Sequence, residues 1–403
     1  MKILIVFIFL IHTSCSFLLR TSLTNFNMDP KRTLSHKAKK LIDNSFKNIN
    51  LSKLQDFHVH SIGVPDKNNN IWISPKLKNF WNIKSYFQYK IYLEASGVRG
   101  SKTPVNKQII NRLISLVSQD SRYGKIRVLA FDYNYLLNGK KDLSNSTFYI
   151  PNNYVWKLYK KYPKIVIPVM SVHPYKKTAL KELIYWGKKG VKMIKWLPNA
   201  QNIDPSLKKL NYYYKVLKKY NMSLLTHTGE EQAVDAKHSQ YFGNPLLLRR
   251  ALNLGVNVIM AHFASMGKCK DLDSKTKSKK ECFLLAMRLF KNKKYLYNLF
   301  ADISAVTIFT HVNSNLGVLL DNQKFHHRLV NGSDYPLPAI DALYQTGQLV
   351  KLGYLTKKKA KLLDEIYKYN PLLFDFALKR NLTSPKNKKK FLPITFEVPE
   401  LLR

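Results

Sequence analysis

Acidic residues are scarce in this chain. Asp and Glu together number 25 against 67 Lys and Arg, which leaves a formal net charge of +42 over 403 residues. Such an imbalance excludes a self-neutralising surface. Lysine runs such as Lys357-Lys358-Lys359 and Lys388-Lys389-Lys390 must be solvated or must face an anion. Arginine is sparse beside lysine and no nucleic-acid motif is present, which argues against a dedicated phosphate reader. Nucleic acid is therefore not the expected partner, whereas association with an anionic envelope surface is compatible with the charge. Cysteine is also scarce, at three residues, with no CxxC or Cys/His cluster, so a structural zinc site of the finger type is excluded. Gly (15) and Pro (17) are not in excess and 45% of the residues are hydrophobic, so a packed core is feasible. No repeat of 20–50 residues is visible, and beyond the N-terminus no segment is apolar enough to span a bilayer.

The N-terminus reads as an address. Lys2 precedes an apolar run, residues 3–11, and Ser14-Cys15-Ser16 offers small residues for cleavage. This predicts a signal peptide over 1–16 and an exported protein, periplasmic or extracellular. Cys15 raises lipid anchoring as the alternative, although His12 stands where a lipobox wants Leu. Residues 17–50 form a basic N-terminal segment with a short helix near 37–46. Of the remaining cysteines, Cys269 and Cys282 flank the lysine-rich stretch KDLDSKTKSKK. In an oxidising compartment they could close that loop as a disulfide; alternatively they are unrelated thiols, since Cys282 begins a helical pattern.

From residue 54 onward two textures alternate. Eight apolar, strand-like runs fall at 54–60, 126–134, 165–174, 191–198, 223–228, 256–262, 297–305 and 329–334. Most are rich in Val, Ile, Leu and Met, as parallel strands buried on both faces require. Amphipathic segments lie between them, at 104–119 behind Thr103, at 154–162, at 205–220 behind Asp204, and at 245–254 before Gly255. Strand–helix alternation repeated eight times predicts a (β/α)8 TIM-type barrel over 51–378, followed by a basic C-terminal tail, 379–403, that wraps the barrel or is irregular. The largest insertion, residues 61–125, follows the first strand. It carries Trp72, Phe80, Trp81, Tyr86 and Phe87, most of them expected on an amphipathic helix against the barrel.

Five of the runs stop at or near a metal-type ligand: DFHVH, MIKWLP, LLTHTGEE, VIMAHFA and LVNGSDYP. Residues i and i+2 of a strand share a face, so His58 and His60 can chelate one ion from one side. His227, His262 and Asp334 end three further strands, and Lys195 lies near the end of the fourth. Any one of these alone is more often structural. In series they predict strand ends that converge on a divalent metal, with Asp334 able both to ligate and to take a proton from an activated water. A His/Asp set suits zinc, one ion or two, while manganese or iron can occupy such sites. Further candidates are His173 and Glu230 as substrate contacts, with Glu231 or Glu230 ordering His227 and Asp302 supporting the site. Arg249 and Arg250 read as helix-surface residues.

This pattern resembles the amidohydrolase superfamily, in its amidohydrolase-related, metal-dependent hydrolase branch, over residues 54 to about 374. The ending EIYKYNPLLFDF, with Asn370 and Phe374, is similar to the branch's closing helix. The resemblance implies a metallo-dependent hydrolase-like barrel with His58, His60, His227 and Asp334 as metal ligands. It implies that His262 acts on the attacking water or substrate, or binds a second ion. In two-metal relatives a lysine at the place of Lys195 is carboxylated and bridges the ions; in one-metal relatives it is unmodified. The implied activity is hydrolysis of an amide, ester or lactone in a small-molecule substrate through a metal-activated water. Metal-dependent decarboxylation on the same barrel and a non-catalytic exported binding protein are the alternatives. No feature of the sequence fixes the oligomeric state.

Overall fold

The computed structural model describes residues 23–24, 32–236, 239–312 and 314–403. The expected signal segment, with Cys15, lies outside them. All eight apolar runs form parallel strands: β1 Gln55–His60, β2 Lys125–Leu129, β3 Val166–Val169, β4 Met193–Trp196, β5 Ser223–Thr226, β6 Val258–Met260, β7 Leu299–Asp302 and β8 Leu329–Val330. Their order is sequential, β1-β2-β3 in one sheet and β4 to β8 in another. Two seams join the sheets. Lys195 N donates to Met170 O at 2.7 Å between β3 and β4. Phe57 N donates to Asn331 O, and His60 N to Tyr335 O, both at 2.9 Å, between β1 and β8. The barrel therefore closes and leaves no edge.

Each strand sends one apolar side chain into a central layer: Phe57, Leu129, Val169, Met193, Leu225, Ile259, Phe300 and Val330, none more than 2% exposed. At about 1.5–3 kcal/mol per buried large side chain, this layer is a major part of what holds the barrel. It also seals the interior, so chemistry is confined to the two ends.

Eleven helices matter for the site and its support: α1 His36–Phe46, α2 Ile83–Ala95, α3 Val105–Ser118, α4 Asn152–Lys161, α5 Ala179–Lys188, α6 Asn211–Lys219, α7 Arg249–Asn253, α8 Cys282–Lys291, α9 Ser314–Asp321, α10 Lys357–Tyr369 and α11 Pro371–Asn381. Asn370 caps α11, its Oδ1 accepting from Leu372 N and Leu373 N. Gly255, at φ +75°, ends α7 as its sequence position predicts.

Three expectations are corrected. The helix expected from residue 205 begins only at Asn211, because Asp204 spends its carboxylate on Ser206 N and Oγ and closes a turn instead of capping a helix. Phe80 and Trp81 do not pack on the barrel; they precede α2 and are 60% and 78% exposed. The boundary expected at residue 378 falls inside α11, which runs to Asn381; the tail beyond it is irregular and packs on the barrel as expected, with Phe391, Phe396, Val398 and Leu402 buried. Val398 and Leu402 join the central barrel layer from below, while Val398 N donates to Lys53 O and Arg127 donates to Leu402 O. The tail plugs the end of the barrel opposite the histidines. Cys269 and Cys282 are disulfide-bonded and clip a short two-stranded ribbon, Lys268–Lys270 with Lys279–Glu281, onto the start of α8. No helix among the described residues is long and apolar enough to cross a membrane.

Candidate metal centre

The C-terminal strand ends bring His58, His60, Lys195, His227, His262 and Asp334 into one pocket. The ring centroids of His58 and His262, and of His227 and His262, are 5.0 Å apart, and those of His58 and His60 are 5.1 Å apart. Asp334 Oδ1 stands 3.1 Å from His60 Nε2 and 3.4 Å from His58 Nε2. Donor atoms of His58, His60 and Asp334 lie within 4.8 Å of one another. Lys195 Nζ is 3.0 Å from His58 Nε2. Two of these residues leave the ladder by a left-handed turn, His262 at φ 57° and Asp334 at φ 60°. Non-glycine residues rarely adopt that region, and such strain is concentrated at functional sites.

The supporting contacts fix the imidazoles. Asp302, at the end of β7, has its Oδ2 2.8 Å from His58 Nδ1. Its Oδ1 accepts from His262 N at 2.8 Å and Ser304 N at 3.0 Å. The carboxylate thus accepts from His58 Nδ1, which selects the tautomer whose Nε2 lone pair faces the cluster. The same logic applies to His262: Ser304 Oγ donates to Asp302, so it accepts from His262 Nδ1 at 2.8 Å, and the His262 Nε2 lone pair is left free. His227 Nδ1 lies 3.3 Å from Glu231 Oε2, while its Nε2 is buried without a hydrogen-bond partner among the described residues. A buried ring nitrogen with no partner is costly, and a cation would satisfy it.

Electrostatics points the same way. Burial pushes His262 down to about 3 and His227 well below its ordinary value, which keeps both rings neutral and their lone pairs available. Burial pushes the Lys195 amine down to about 8, against the pull of Asp302 and Asp334. Burial alone would raise the Asp334 carboxyl, but His58, His262 and the His60 hydrogen bond hold it well below the usual carboxylate range. The residues present fit a divalent ion: His58, His60 and Asp334 form one group of donor atoms that could hold it, and His58, His262 and Asp302 a second.

Two openings reach this centre. One, of about 320 Å³, is bordered by Glu230, Met266, Phe309 and His311. The other lies under Tyr92, Phe148 and Val234. Between them α2 is strapped to the loop after β5: Gln88 Nε2 donates to Ala233 O at 2.8 Å and Tyr92 OH to the same oxygen at 3.2 Å.

Not every predicted residue joins the cluster. His173 is buried elsewhere, with Nε2 2.7 Å from Gln201 O and Nδ1 accepting from Tyr175 N at 3.2 Å; both nitrogens are spent on structure. Glu230 is exposed at the rim and accepts from Gln232, whereas Glu231 is the buried partner of His227. Neither starts a helix, because the segment after β5 is irregular. Arg249 pairs with Asp273 on the surface. Ser304 and His311 escaped sequence reading. His311 Nδ1 is 2.7 Å from Ser265 Oγ beside the larger opening. Its only sequence signal is a histidine a few residues beyond β7.

The closed eight-stranded barrel is the fold that the resemblance implied. No family model and no curated protein matches the chain. Solved structures similar to it include an uncharacterised TIM-barrel protein from Bordetella bronchiseptica, at 14% identity over 70% of this chain and 86% of that one, with a TM-score of 0.44. The 5-carboxyvanillate decarboxylase of Sphingomonas paucimobilis is similar at 8% identity over 79% and 96%, with a TM-score of 0.42. The 4-oxalomesaconate hydratase of Rhodopseudomonas palustris is similar at 14% over 81% and 98%, with a TM-score of 0.39. At such identities the likeness is one of fold.

Proposed function

We propose that the chain is a metal-dependent hydrolase of the amidohydrolase type, acting on an amide, ester or lactone bond of a small molecule. The observation that carries this reading is the convergence of four imidazoles and one carboxylate, with His227 Nε2 buried beside them and without a hydrogen-bond partner among the described residues. A divalent ion bound there, zinc by its His/Asp donors, would supply Lewis acidity and lower the pKa of a water. The chain's own groups do the rest. Asp334 Oδ1 faces the ligand histidines, which leaves Oδ2, 3.9 Å from His262 Nδ1, to accept the water's proton and return it to the leaving group. His262 presents a lone pair, so it orients the attacking water, or binds a second ion, and does not donate to an oxyanion. Lys195 Nζ is the donor left to meet developing negative charge on the substrate, unless carboxylation makes it a bridging ligand.

The test is metal content per chain in protein purified without added metal or chelator. Intact mass for a carboxylated Lys195 and turnover of an ester, amide and lactone panel complete it. About one ion with unmodified Lys195 makes the centre mononuclear; about two with a carboxylated lysine make it binuclear. A chain that takes up no zinc or manganese, or a loaded Asp334→Asn variant with undiminished turnover, sinks the proposal.

A further inference from the structure

Two tight turns on the loops that follow β1 and β2 hold large apolar side chains out in solvent. The first lies between the short helix Pro75–Lys78 and α2. Asn82 N donates to Asn79 O at 3.0 Å and Trp81 N to Asn79 Oδ1 at 3.0 Å. These bonds close a turn whose two central residues are Phe80 and Trp81. Their ring centroids are 4.5 Å apart, and both rings are exposed, as is Ile83 beside them. In the second turn Gly139 N donates to Leu136 O at 2.8 Å and Leu136 N to Lys140 O at 2.9 Å, with Leu136 and Leu137 exposed. The turns are neighbours. The strand pair of Trp72–Ile73 with Phe148–Tyr149 joins their stems, and Lys76 Nζ donates to Ser144 O at 2.8 Å. Leu77 and Asn82 from one side and Leu136 and Ser144 from the other line a single cavity of about 220 Å³. Single exposed apolar residues need no explanation, but a group of five on adjoining turns marks a contact surface.

The charge around these side chains is mostly of one sign. No Asp or Glu occurs between Asp66 and Glu94. Lys76, Lys78, Lys84, Lys140 and Lys141 are exposed on the two segments. Against these five stand two acids: Asp142, which accepts from Ser144 Oγ and Asn145 Nδ2, and Asp235 on the cavity wall. Neither segment, 72–84 or 133–147, contains an arginine. Protein interfaces favour Arg and are depleted in Lys, and a dedicated phosphate reader favours Arg as well. Trp and Phe combined with Lys suit a bilayer interface instead. There the rings enter the headgroup layer and the ammonium groups, on their flexible stems, meet lipid phosphates.

We propose that the two turns form a docking face for an anionic phospholipid bilayer, with Phe80, Trp81 and Leu137 entering the headgroup region and the surrounding lysines meeting lipid phosphates. The turns follow the C-terminal ends of β1 and β2, so a docked chain presents the end of the barrel that carries the histidines to the lipid. The proposal does not depend on the hydrolase reading. It also goes beyond the overall charge of +42, which is spread along the chain and would favour no one face.

The test is binding of the full chain to phosphatidylcholine vesicles with and without phosphatidylglycerol. It is read by co-sedimentation and by quenching of tryptophan fluorescence with brominated lipid. The apolar run at 3–11 is common to every variant, so differences between variants belong to the turns. Trp81 is the exposed one among the five tryptophans and should carry the quenching. Trp81→Phe is expected to keep the binding and lose the quenching. Phe80→Ser with Trp81→Ser, and separately Lys78→Glu with Lys84→Glu, are each expected to weaken binding to phosphatidylglycerol vesicles about tenfold. Lys389→Glu with Lys390→Glu, on the tail, makes the same change in net charge and is expected to weaken it less than about twofold, because exposed charges far from the contact are screened. No binding to phosphatidylglycerol vesicles, a bound chain whose tryptophan fluorescence is unquenched, or undiminished binding in both turn variants overturns the proposal. So does an equal loss in the tail variant, which would assign the binding to net charge alone. Tighter binding to duplex DNA than to the vesicles, lost in the same turn variants, would give the face to a nucleic acid and overturn it likewise.

Discussion

Asp302 and His173 show what a single residue can and cannot disclose. In sequence, His173 looks like a ligand: it follows an apolar run and precedes a proline, as other strand-end residues here do. Its nitrogens are nevertheless satisfied by Gln201 and Tyr175, contacts across 28 and 2 residues that no local pattern announces. Asp302 reads in sequence as a candidate support on the seventh run, but nothing local says that it meets His58, 244 residues away. The cluster was legible because His, Lys and Asp each end an apolar run, and Asp302 and Glu231 stood out as candidate supports; which ring each one meets, and the part of Ser304, were not, because hydrogen-bond partners come from distant strands. The two positions should separate on mutation. Asp302→Asn keeps the volume and removes the charge that fixes the His58 tautomer, so metal affinity should fall by about 10–100-fold, read by chelator competition. His173→Phe should leave metal stoichiometry intact and lower stability by about 1–3 kcal/mol in denaturant unfolding, through the stranded Gln201 carbonyl. Equal loss of metal in both variants would refute the division of roles.

At the scale of elements, the position of Asp334 depends on a helix that touches no ligand. Lys379 of α11 is fully buried; its Nζ donates at 2.6 Å both to Gly332 O, in the turn leading to Asp334, and to Asp375. The closing helix was legible through Asn370 and its apolar face, but its interior lysine reads in sequence as one more surface cation among many. Lys379→Met strands the Asp375 carboxylate and frees the Gly332 carbonyl, at an expected cost of about 3–5 kcal/mol in urea unfolding. A shift below 1 kcal/mol would mean that water replaces the lysine. The disulfide-clipped ribbon behaves differently, since it lies outside the barrel. The Asp271 carboxylate is held well below its usual range first by Arg288 and then by Lys280, so its contribution is present above the unfolded value of 3.8 and is lost as pH falls below it. Protection factors of the ribbon amides, taken relative to the intrinsic exchange rate at each pH, should therefore stay high at neutral pH and fall only in acid. Cys269→Ser, opening a cross-link of 13 residues' separation, should cost about 3 kcal/mol where the chain-entropy account holds.

For the molecule as a whole, strand–helix alternation disclosed the eight strands, but closure is not written in any one segment. The barrel shuts through the β1–β8 seam and through a tail that composition alone marks as basic and irregular. That tail alternates lysine-rich stretches, which stay in water, with Phe391, Phe396, Val398 and Leu402, which are buried. Apolar residues spaced this far apart have no helical or strand period, so periodicity misses them even though each fills a defined place. Four such side chains, at about 1.5–3 kcal/mol each, sum to an amount comparable with the net stability of an ordinary domain, about 5–15 kcal/mol. Removing residues 391–403 should thus abolish cooperative unfolding and expose the lower barrel layer to a hydrophobic dye, although no residue of the metal centre is deleted. Val398→Asp with Leu402→Asp should reproduce the effect at full length. A truncated chain that still melts in one sharp transition and retains its metal would show that the barrel closes without its plug, with β1 and β8 held by their own hydrogen bonds and by the Lys379 contact beneath them.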